Sequence, residues 1–232
     1  MRALLLAAGM GTRLRPLTNT TPKCLVPVQG RPLLDYWLEL LFNGGIERVL
    51  INTHWLSAQV NSHVAGSPWQ SRVDMVHEAH LLGTGGTILA NRDWFGPGPF
   101  LVAHADNLTD FDVSGLIAAH RDRPAGCVMT MLAFRTDDPR SCGILELDAK
   151  NVVQAFHEKV ANPPGNLANA AVYIFEPEII AAAARLRKPE VDLSTEVIPG
   201  FTGRIFAVET KGYHRDIGSA DSLLRANAEY KK

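Results

Sequence analysis

The chain has few cysteines, no long apolar run and no excess of charge of one sign. The three cysteines among 232 residues, Cys24, Cys127 and Cys142, show no C-x-x-C spacing. An odd, sparse set argues against a disulfide framework and for reduced thiols in a cytoplasm. No stretch approaches the roughly 20 apolar residues that a membrane span requires. The N-terminal MRALLLAAG has only about seven apolar residues before a basic loop, too few for a signal peptide followed by such a loop, so it reads as a buried first strand. Lysine and arginine total 23 against 24 acidic residues, a net charge of −1. No global field therefore favours nucleic acid or an anionic membrane, and neither is expected as a partner. The eight histidines form no H-x-x-x-H or H-E-x-x-H pair, which argues against zinc chemistry. Internal repeats and low-complexity tracts are absent as well.

What is present alternates. Ala3–Ala8 is continuously apolar, as a strand covered on both faces should be. Pro32 opens a helix in which Leu33, Leu34, Trp37, Leu38 and Leu41 recur at helical spacing, and Gly44-Gly45 closes it. Trp37 on that face belongs to the core. Strands follow at Arg48–Thr53, Arg72–His77 and Pro99–Ala105, the last running into Asp106, with helices at Trp55–Val64, Gly83–Asn91 and Val113–His120. This alternation predicts an α/β fold with a mostly parallel sheet and helices on both faces. The second half holds more strand and less helix. Strands are expected at Gly126–Phe134, Gly143–Leu147, Val152–Phe156, Leu167–Phe175 and Arg204–Val208, helices at Pro177–Leu186 and Ser219–Tyr230, and a loop at Ala161–Asn166. With no linker in view, the expectation is one domain over 1–232. Its nucleotide-binding half covers about 1–112 and a sheet-rich half about 113–232.

The first strand runs into Gly9, Gly11, Thr12 and Arg13. A dinucleotide fingerprint needs a third glycine where Leu14 stands, and a distal acidic residue where the next strand ends in Asn52-Thr53. A P-loop needs G-x-x-x-x-G-K-[ST], which is absent. Two glycines still expose backbone N–H groups to anionic oxygens. Arg13 offers a planar fork to a polyphosphate, and Lys23 precedes another apolar stretch. Together these read as a triphosphate clamp.

The two motifs, LAAGMGTRLRP over Leu6–Pro16 and PKCLVPV over Pro22–Val28, resemble the signature of the sugar-1-phosphate nucleotidyltransferases, the NDP-sugar pyrophosphorylases. The resemblance continues through LGTGG (Leu82–Gly86), ADNL (Ala105–Leu108), Gly143–Leu145 with FHEK (Phe156–Lys159), NAAVY (Asn169–Tyr173) and YHRDIGS (Tyr213–Ser219). Ala8 stands where many members have glycine, and Cys142 where an aromatic is frequent. The resemblance implies a Rossmann-like nucleotidyltransferase fold, with a mixed, mostly parallel sheet between helices and a small sheet-rich part for the sugar. It implies transfer of a nucleotidyl group from an NTP to a sugar 1-phosphate, with release of pyrophosphate and with Mg²⁺ as cofactor. Arg13 and Lys23 would be catalytic. Leu6, Ala7, Ala8, Gly9, Gly11, Thr12, Glu78, Gly83 and Thr84 would bind the nucleotide. Gly143, Glu158, Lys159 and Asn169 would take the sugar phosphate, and Asp106 and Asp216 the metal. The short guanylyltransferases acting on mannose or manno-heptose 1-phosphate, which feed capsule or surface polysaccharide, are the nearest match, so GTP is the expected nucleotide. A uridylyltransferase using glucose 1-phosphate or an N-acetylated sugar phosphate is the alternative. A choline-phosphate-type cytidylyltransferase comes third, and a non-catalytic nucleotide-sugar sensor is a rival from another class. No left-handed β-helix is expected after Asp216. Relatives are often dimers or tetramers, so a homo-oligomer is among the expected states.

Overall fold

The computed structural model describes residues 1–231. Its strands, in chain order, are β1 (Arg2–Leu6), β2 (Pro27–Val28), β3 (Arg31–Pro32), β4 (Arg48–Thr53), β5 (Val73–His77), β6 (Phe100–His104), β7 (Asn107–Thr109), β8 (Met129–Arg135), β9 (Gly143–Leu147), β10 (Val153–Glu158), β11 (Leu167–Phe175), β12 (Ile205–Glu209) and β13 (His214–Asp216). The helices are α1 (Leu33–Asn43), α2 (Ser57–Ala65), α3 (Gly83–Ala90), the single turn α4 (Arg92–Phe95), α5 (Val113–Arg121), α6 (Glu178–Arg185) and α7 (Ala220–Glu229). The chain is mixed α/β, as the alternation predicts. It divides into two compact units. One comprises Met1–Leu81, Ala103–Val113 and the segment from Gly212; the other comprises Leu82–Val102 and Ser114–Lys211.

In the first unit β1, β4 and β5 pair in parallel, with Leu6 beside Asn52 and Asn52 beside Val76 at their carboxyl ends. Ala3, Leu4 and Leu5 of β1 are fully buried, which explains the unbroken apolar run. The strand stops at Leu6 rather than Ala8, because the Ala7 N–H turns to the Asn52 side chain instead of the sheet. Helix α1 buries Leu33, Leu34, Trp37, Leu38 and Leu41, each leucine contributing roughly 1.5–3 kcal/mol. Trp37 is a core residue whose indole N–H donates to Asn107 O at 2.8 Å. Strand β6 stops at His104, short of the expected Ala105, and Ala105 N donates to Leu6 O at 3.1 Å. The short strands β7 and β13 pair antiparallel, Asn107 with Asp216. Neither strand was expected, since three residues carry no periodicity to read.

In the second unit β8 pairs antiparallel with β11 and parallel with β12, and β9 and β10 form an antiparallel pair. Strands β9 and β11 match expectation residue for residue. β8 starts at Met129 rather than Gly126, because Cys127 N closes a turn onto Pro124 O. Phe95, Phe100, Phe175 and Tyr173 pack in succession, with ring centroids 4.1, 5.9 and 5.1 Å apart; the outer two contacts are stacked and the Phe100–Phe175 contact is edge-on. In α5, the buried His120 ring shares a 2.8 Å hydrogen bond through Nδ1 with the Thr130 hydroxyl. The helical turns over Leu193–Val197 and Ile198–Phe201 were not foreseen.

Candidate active site

At the carboxyl end of β1 the chain opens into the glycine loop. Gly11 holds φ at +61°, and a Cβ there would lie 2.8 Å from Thr18 Cγ2, so only glycine fits. The Thr18 hydroxyl donates to Gly11 O at 2.7 Å and fixes the loop from below. A 3-10 turn over Thr12–Leu14 follows, with Leu14 buried and the Arg13 side chain left 68% exposed. After another 3-10 turn at Leu17–Asn19, a third, Lys23–Leu25, carries the buried Lys23.

Four predicted residues meet here. The Lys23 ammonium lies 2.7 Å from Asp106 Oδ2 and 3.1 Å from Asp216 Oδ1. Arg13 Nη2 donates to Asp216 Oδ2 at 3.1 Å. Asp106 occupies the turn between β6 and β7, and Asp216 ends β13, so the β7–β13 pairing brings the two acids together. Ile217 N donates to Asp106 O at 3.2 Å and closes that junction. Burial pushes the Asp106 carboxyl up, but the charges of Lys23 and His104 and the bond to Lys23 outweigh it and hold the group below its ordinary value. Beside it, burial pushes His214 down to about 4, against the pull of Asp216 and Asp106, so this ring is neutral at physiological pH. His104 Nε2 is buried without a hydrogen-bond partner.

The two acids fit a hard divalent cation. Their oxygens converge on one positive charge, the Lys23 ammonium, and two carboxylates suffice for an ion that keeps waters and binds substrate phosphates. Among the described residues no group of three or more histidine, cysteine, aspartate or glutamate side chains could enclose a metal by itself. Asp106 and Asp216 are thus the residues able to hold such an ion through part of its coordination shell.

A further arrangement spans the ends of the three parallel strands. Asn52 Oδ1 accepts the Ala7 N–H at 2.8 Å, and Asn52 Nδ2 donates to Glu78 Oε1 at 2.9 Å. Glu78 is buried, its N–H donating to Thr53 O at 2.8 Å and its carbonyl meeting His54 Nδ1 at 2.7 Å. Of the residues assigned to the nucleotide, the Ala7 N–H is therefore engaged within the protein, while the space around the Cα of Gly9 is open. Asn52 was not foreseen. Its signal was a lone amide side chain following the apolar Val49–Ile51 in β4, where burial demands partners.

The second unit holds the other predicted residues. Gly83 begins α3, whose Gly85 and Gly86 N–H groups both donate to Val191 O, at 2.8 and 3.2 Å. The Thr84 hydroxyl accepts Leu193 N–H at 2.8 Å and lies 3.4 Å from Asp192 Oδ2, which ties it to the turn that follows. On the paired strands β9 and β10, Gly143 sits opposite Glu158. A Cβ on Gly143 would come within 2.6 Å of Glu158 Oε2 and 2.7 Å of Phe156 Cζ, so the glycine makes room for the carboxylate. Lys159 Nζ lies 3.3 Å from Glu158 Oε1 and stays largely exposed. Asn169 sits at the bulge of β11, where Ala171 takes φ +53°. Its amide donates to the Tyr173 hydroxyl at 2.7 Å and accepts Ala171 N–H at 2.9 Å. Tyr173 was read only as part of a motif; fully buried, it anchors Asn169, and burial pushes its phenol well above the ordinary value.

The three cysteines are free, and Cys24 is buried, its thiol pushed up to about 12 by burial, which makes it inert as a nucleophile. No helix among the described residues is long and apolar enough to cross a membrane.

Comparison with known proteins identifies similar chains. The chain is 33% identical over 232 residues to a mannose-1-phosphate guanylyltransferase of Mycobacterium tuberculosis, covering 98% of this chain and 64% of that protein. It is 30% identical over 231 residues to a putative mannose-1-phosphate guanyltransferase of Sulfolobus acidocaldarius, covering 98% of this chain and 62% of that one. The chain thus spans somewhat under two thirds of the curated relatives it matches. Among solved structures, a putative glucose-1-phosphate thymidylyltransferase of Bacillus anthracis superposes with a TM-score of 0.88 at 22% identity, covering 100% and 98% of the two chains, and shares the fold. HddC of Yersinia pseudotuberculosis, solved with GMP-PN, superposes with a TM-score of 0.82 at 26% identity, covering 99% of each chain. The fold is therefore the Rossmann-like one these proteins share. The model of the nucleotidyl transferase family matches residues 2–232, and the chain belongs to that family.

Proposed function

We propose that this protein transfers a nucleotidyl group from an NTP to a sugar 1-phosphate, with GTP as the nucleotide and mannose 1-phosphate or D-glycero-α-D-manno-heptose 1-phosphate as the acceptor. The observation that carries the reading is the meeting of Lys23 with Asp106 and Asp216, and of Arg13 with Asp216, beside a glycine loop. Two acids for a cation and two bases for phosphate oxygens are what a reaction between two anions needs. In the first step a phosphate oxygen of the sugar 1-phosphate bonds to the NTP α-phosphorus. The bond from that phosphorus to the bridging oxygen breaks in line, and pyrophosphate leaves with its electron pair. The nucleophile is already an anion, so no general base is required. Lys23 would neutralise the α-phosphate and the incoming phosphate, and Arg13 the departing pyrophosphate. Asp106 and Asp216 would hold Mg²⁺, which supplies charge neutralisation of the phosphates when bound.

Two observations favour GTP. Both named curated relatives are guanylyltransferases, one of them putative, and HddC was solved with a guanine nucleotide analogue, while the Bacillus anthracis neighbour, a putative thymidylyltransferase, shares the fold alone. Glu78 is a carboxylate, an acceptor suited to guanine, which offers a ring N–H beside an exocyclic amine. In the second unit Glu158 and Asn169 would meet sugar hydroxyls and Lys159 the sugar phosphate; each buried hydroxyl left unpaired would be costly. The reading places the reaction in the cytoplasm, in surface polysaccharide synthesis.

The test is pyrophosphate release with Mg²⁺, using GTP, UTP, CTP, ATP and dTTP against mannose, manno-heptose, glucose and N-acetylated sugar 1-phosphates. Release with GTP and a manno-configured phosphate supports the full proposal. Release with UTP and a gluco-configured one keeps the reaction and overturns both substrates. No release with any pair favours a nucleotide-sugar sensor.

A further inference from the structure

We infer that Asn52 is a positioning residue that sets the base-reading carboxylate of Glu78 and the start of the phosphate-binding loop in one fixed register. The inference rests on the transferase reading and deepens it. Strands β1, β4 and β5 run parallel, and ligands of such sheets bind at the carboxyl ends of the strands. Just past β1 is Ala7, which leads into the glycine loop. Just past β5 is Glu78. Asn52, near the end of β4 between them, reaches both with one amide.

Only a neutral amide does this. Asn52 Oδ1 accepts the Ala7 N–H and Asn52 Nδ2 donates to Glu78 Oε1. The reversed amide would face a donor with a donor and an acceptor with an acceptor, so a single orientation is allowed. An apolar side chain would take one partner from a half-buried backbone N–H and one from the carboxylate of the buried Glu78. An aspartate would keep the Ala7 bond but set a second negative charge against Glu78. The Glu78 backbone is held independently, by Thr53 O and by His54. What Asn52 adds is a hydrogen bond to the carboxylate itself, which aims it and so bears on which base donors it meets.

The experiment compares wild type, Asn52→Asp and the double variant Asn52→Asp/Glu78→Gln. Binding of GTP, UTP, CTP and ATP with Mg²⁺ is measured by calorimetry, alongside the KM of the sugar 1-phosphate and thermal unfolding. In Asn52→Asp the affinity for the preferred NTP is expected to fall about tenfold or more, as for the loss of a hydrogen bond to a charged group. Its preference over the other NTPs is expected to collapse, with the KM of the sugar phosphate unchanged. The double variant restores a bond between positions 52 and 78 with its polarity reversed, and is expected to recover both affinity and preference relative to Asn52→Asp. If Asn52→Asp does not fold, Asn52→Ser takes its place with the same expectations, since its one hydroxyl cannot bond Ala7 N–H and Glu78 together. A folded single variant at position 52 that keeps the wild-type base preference overturns it, as does an equal loss for every NTP and for the sugar phosphate. Wild type that binds NTPs without base preference overturns this inference and leaves the transferase reading standing. Wild type that binds no NTP overturns both.

Discussion

Lys23 holds its ammonium 2.7 Å from Asp106 Oδ2, with a side chain 8% exposed. The same ammonium lies 3.1 Å from Asp216, which Arg13 also contacts. Two bases and two acids thus balance one another locally, in a chain whose overall charge gives no hint of it. Each member can be removed separately, and the consequences differ.

Removing the acid should stop the chemistry. Asp106→Asn keeps the shape and is expected to lower turnover by at least about a hundredfold, the scale of a lost electrostatic contribution to such a transition state. Lys23 would keep Asp216 as a partner, so the stability cost is about 1–3 kcal/mol, between the exposed and buried ion-pair cases. Steady-state kinetics and thermal unfolding measure the two effects. A folded variant at the wild-type rate removes Asp106 from the metal site.

Removing the base should do the opposite to the metal. The Lys23 ammonium occupies the oxygens that a divalent cation would take, so Lys23→Met is expected to tighten Mn²⁺ binding by at least about tenfold while abolishing turnover. Titration of protein without nucleotide, followed by Mn²⁺ paramagnetic resonance, reads the affinity directly. Unchanged or weaker Mn²⁺ binding would place the cation elsewhere.

In the second unit, Gly143→Ala tests the sugar side. The new methyl group meets Glu158 Oε2 at 2.6 Å, so the carboxylate must move. The KM of the sugar 1-phosphate is expected to rise about tenfold, with the KM of the NTP unchanged, if a hydrogen bond to a hydroxyl is lost. Equal effects on both substrates would argue that Glu158 has no specific part in sugar binding.

Acid should destabilise the fold through His120. Burial, then the Arg123 charge, push its pKa down to about 4, against the opposing pull of Glu176. The folded state favours the neutral ring and the unfolded state binds the proton more readily. The stability is therefore complete above about pH 6.5 and falls as pH drops from there to about 4, by up to about 3 kcal/mol. Denaturant unfolding across that window is expected to show the loss. His120→Gln, which cannot take up the proton, should flatten it, and a slope unchanged in that variant would assign the loss to other groups.

Much of this was already legible in the chain. Continuous apolar runs defined β1 and β6, helical spacing defined α1, and glycines closed by a basic residue marked the loop. These signals are local, so periodicity and backbone sterics carry them. The residue types needed for phosphate chemistry, Arg13, Lys23, Asp106 and Asp216, were also identifiable, because their motifs are short and ordered along the sequence.

Tertiary structure decided who meets whom. The β7–β13 pairing that sets Asp216 beside Asp106 joins two three-residue strands, far too short to announce a partner. The return of the segment from Gly212 to the first unit, and the assignment of Leu82–Val102 to the second, follow from long-range contacts that no local pattern encodes. Asn52 could be noticed as an amide after the apolar Val49–Ile51, but its two partners lie just past the ends of two other strands. The amino-acid sequence by itself determined the longer secondary elements and the kinds of chemistry available. Only the packing of strands distant in sequence could choose which donor faces which acceptor, because hydrogen bonds depend on distance and direction that composition does not contain.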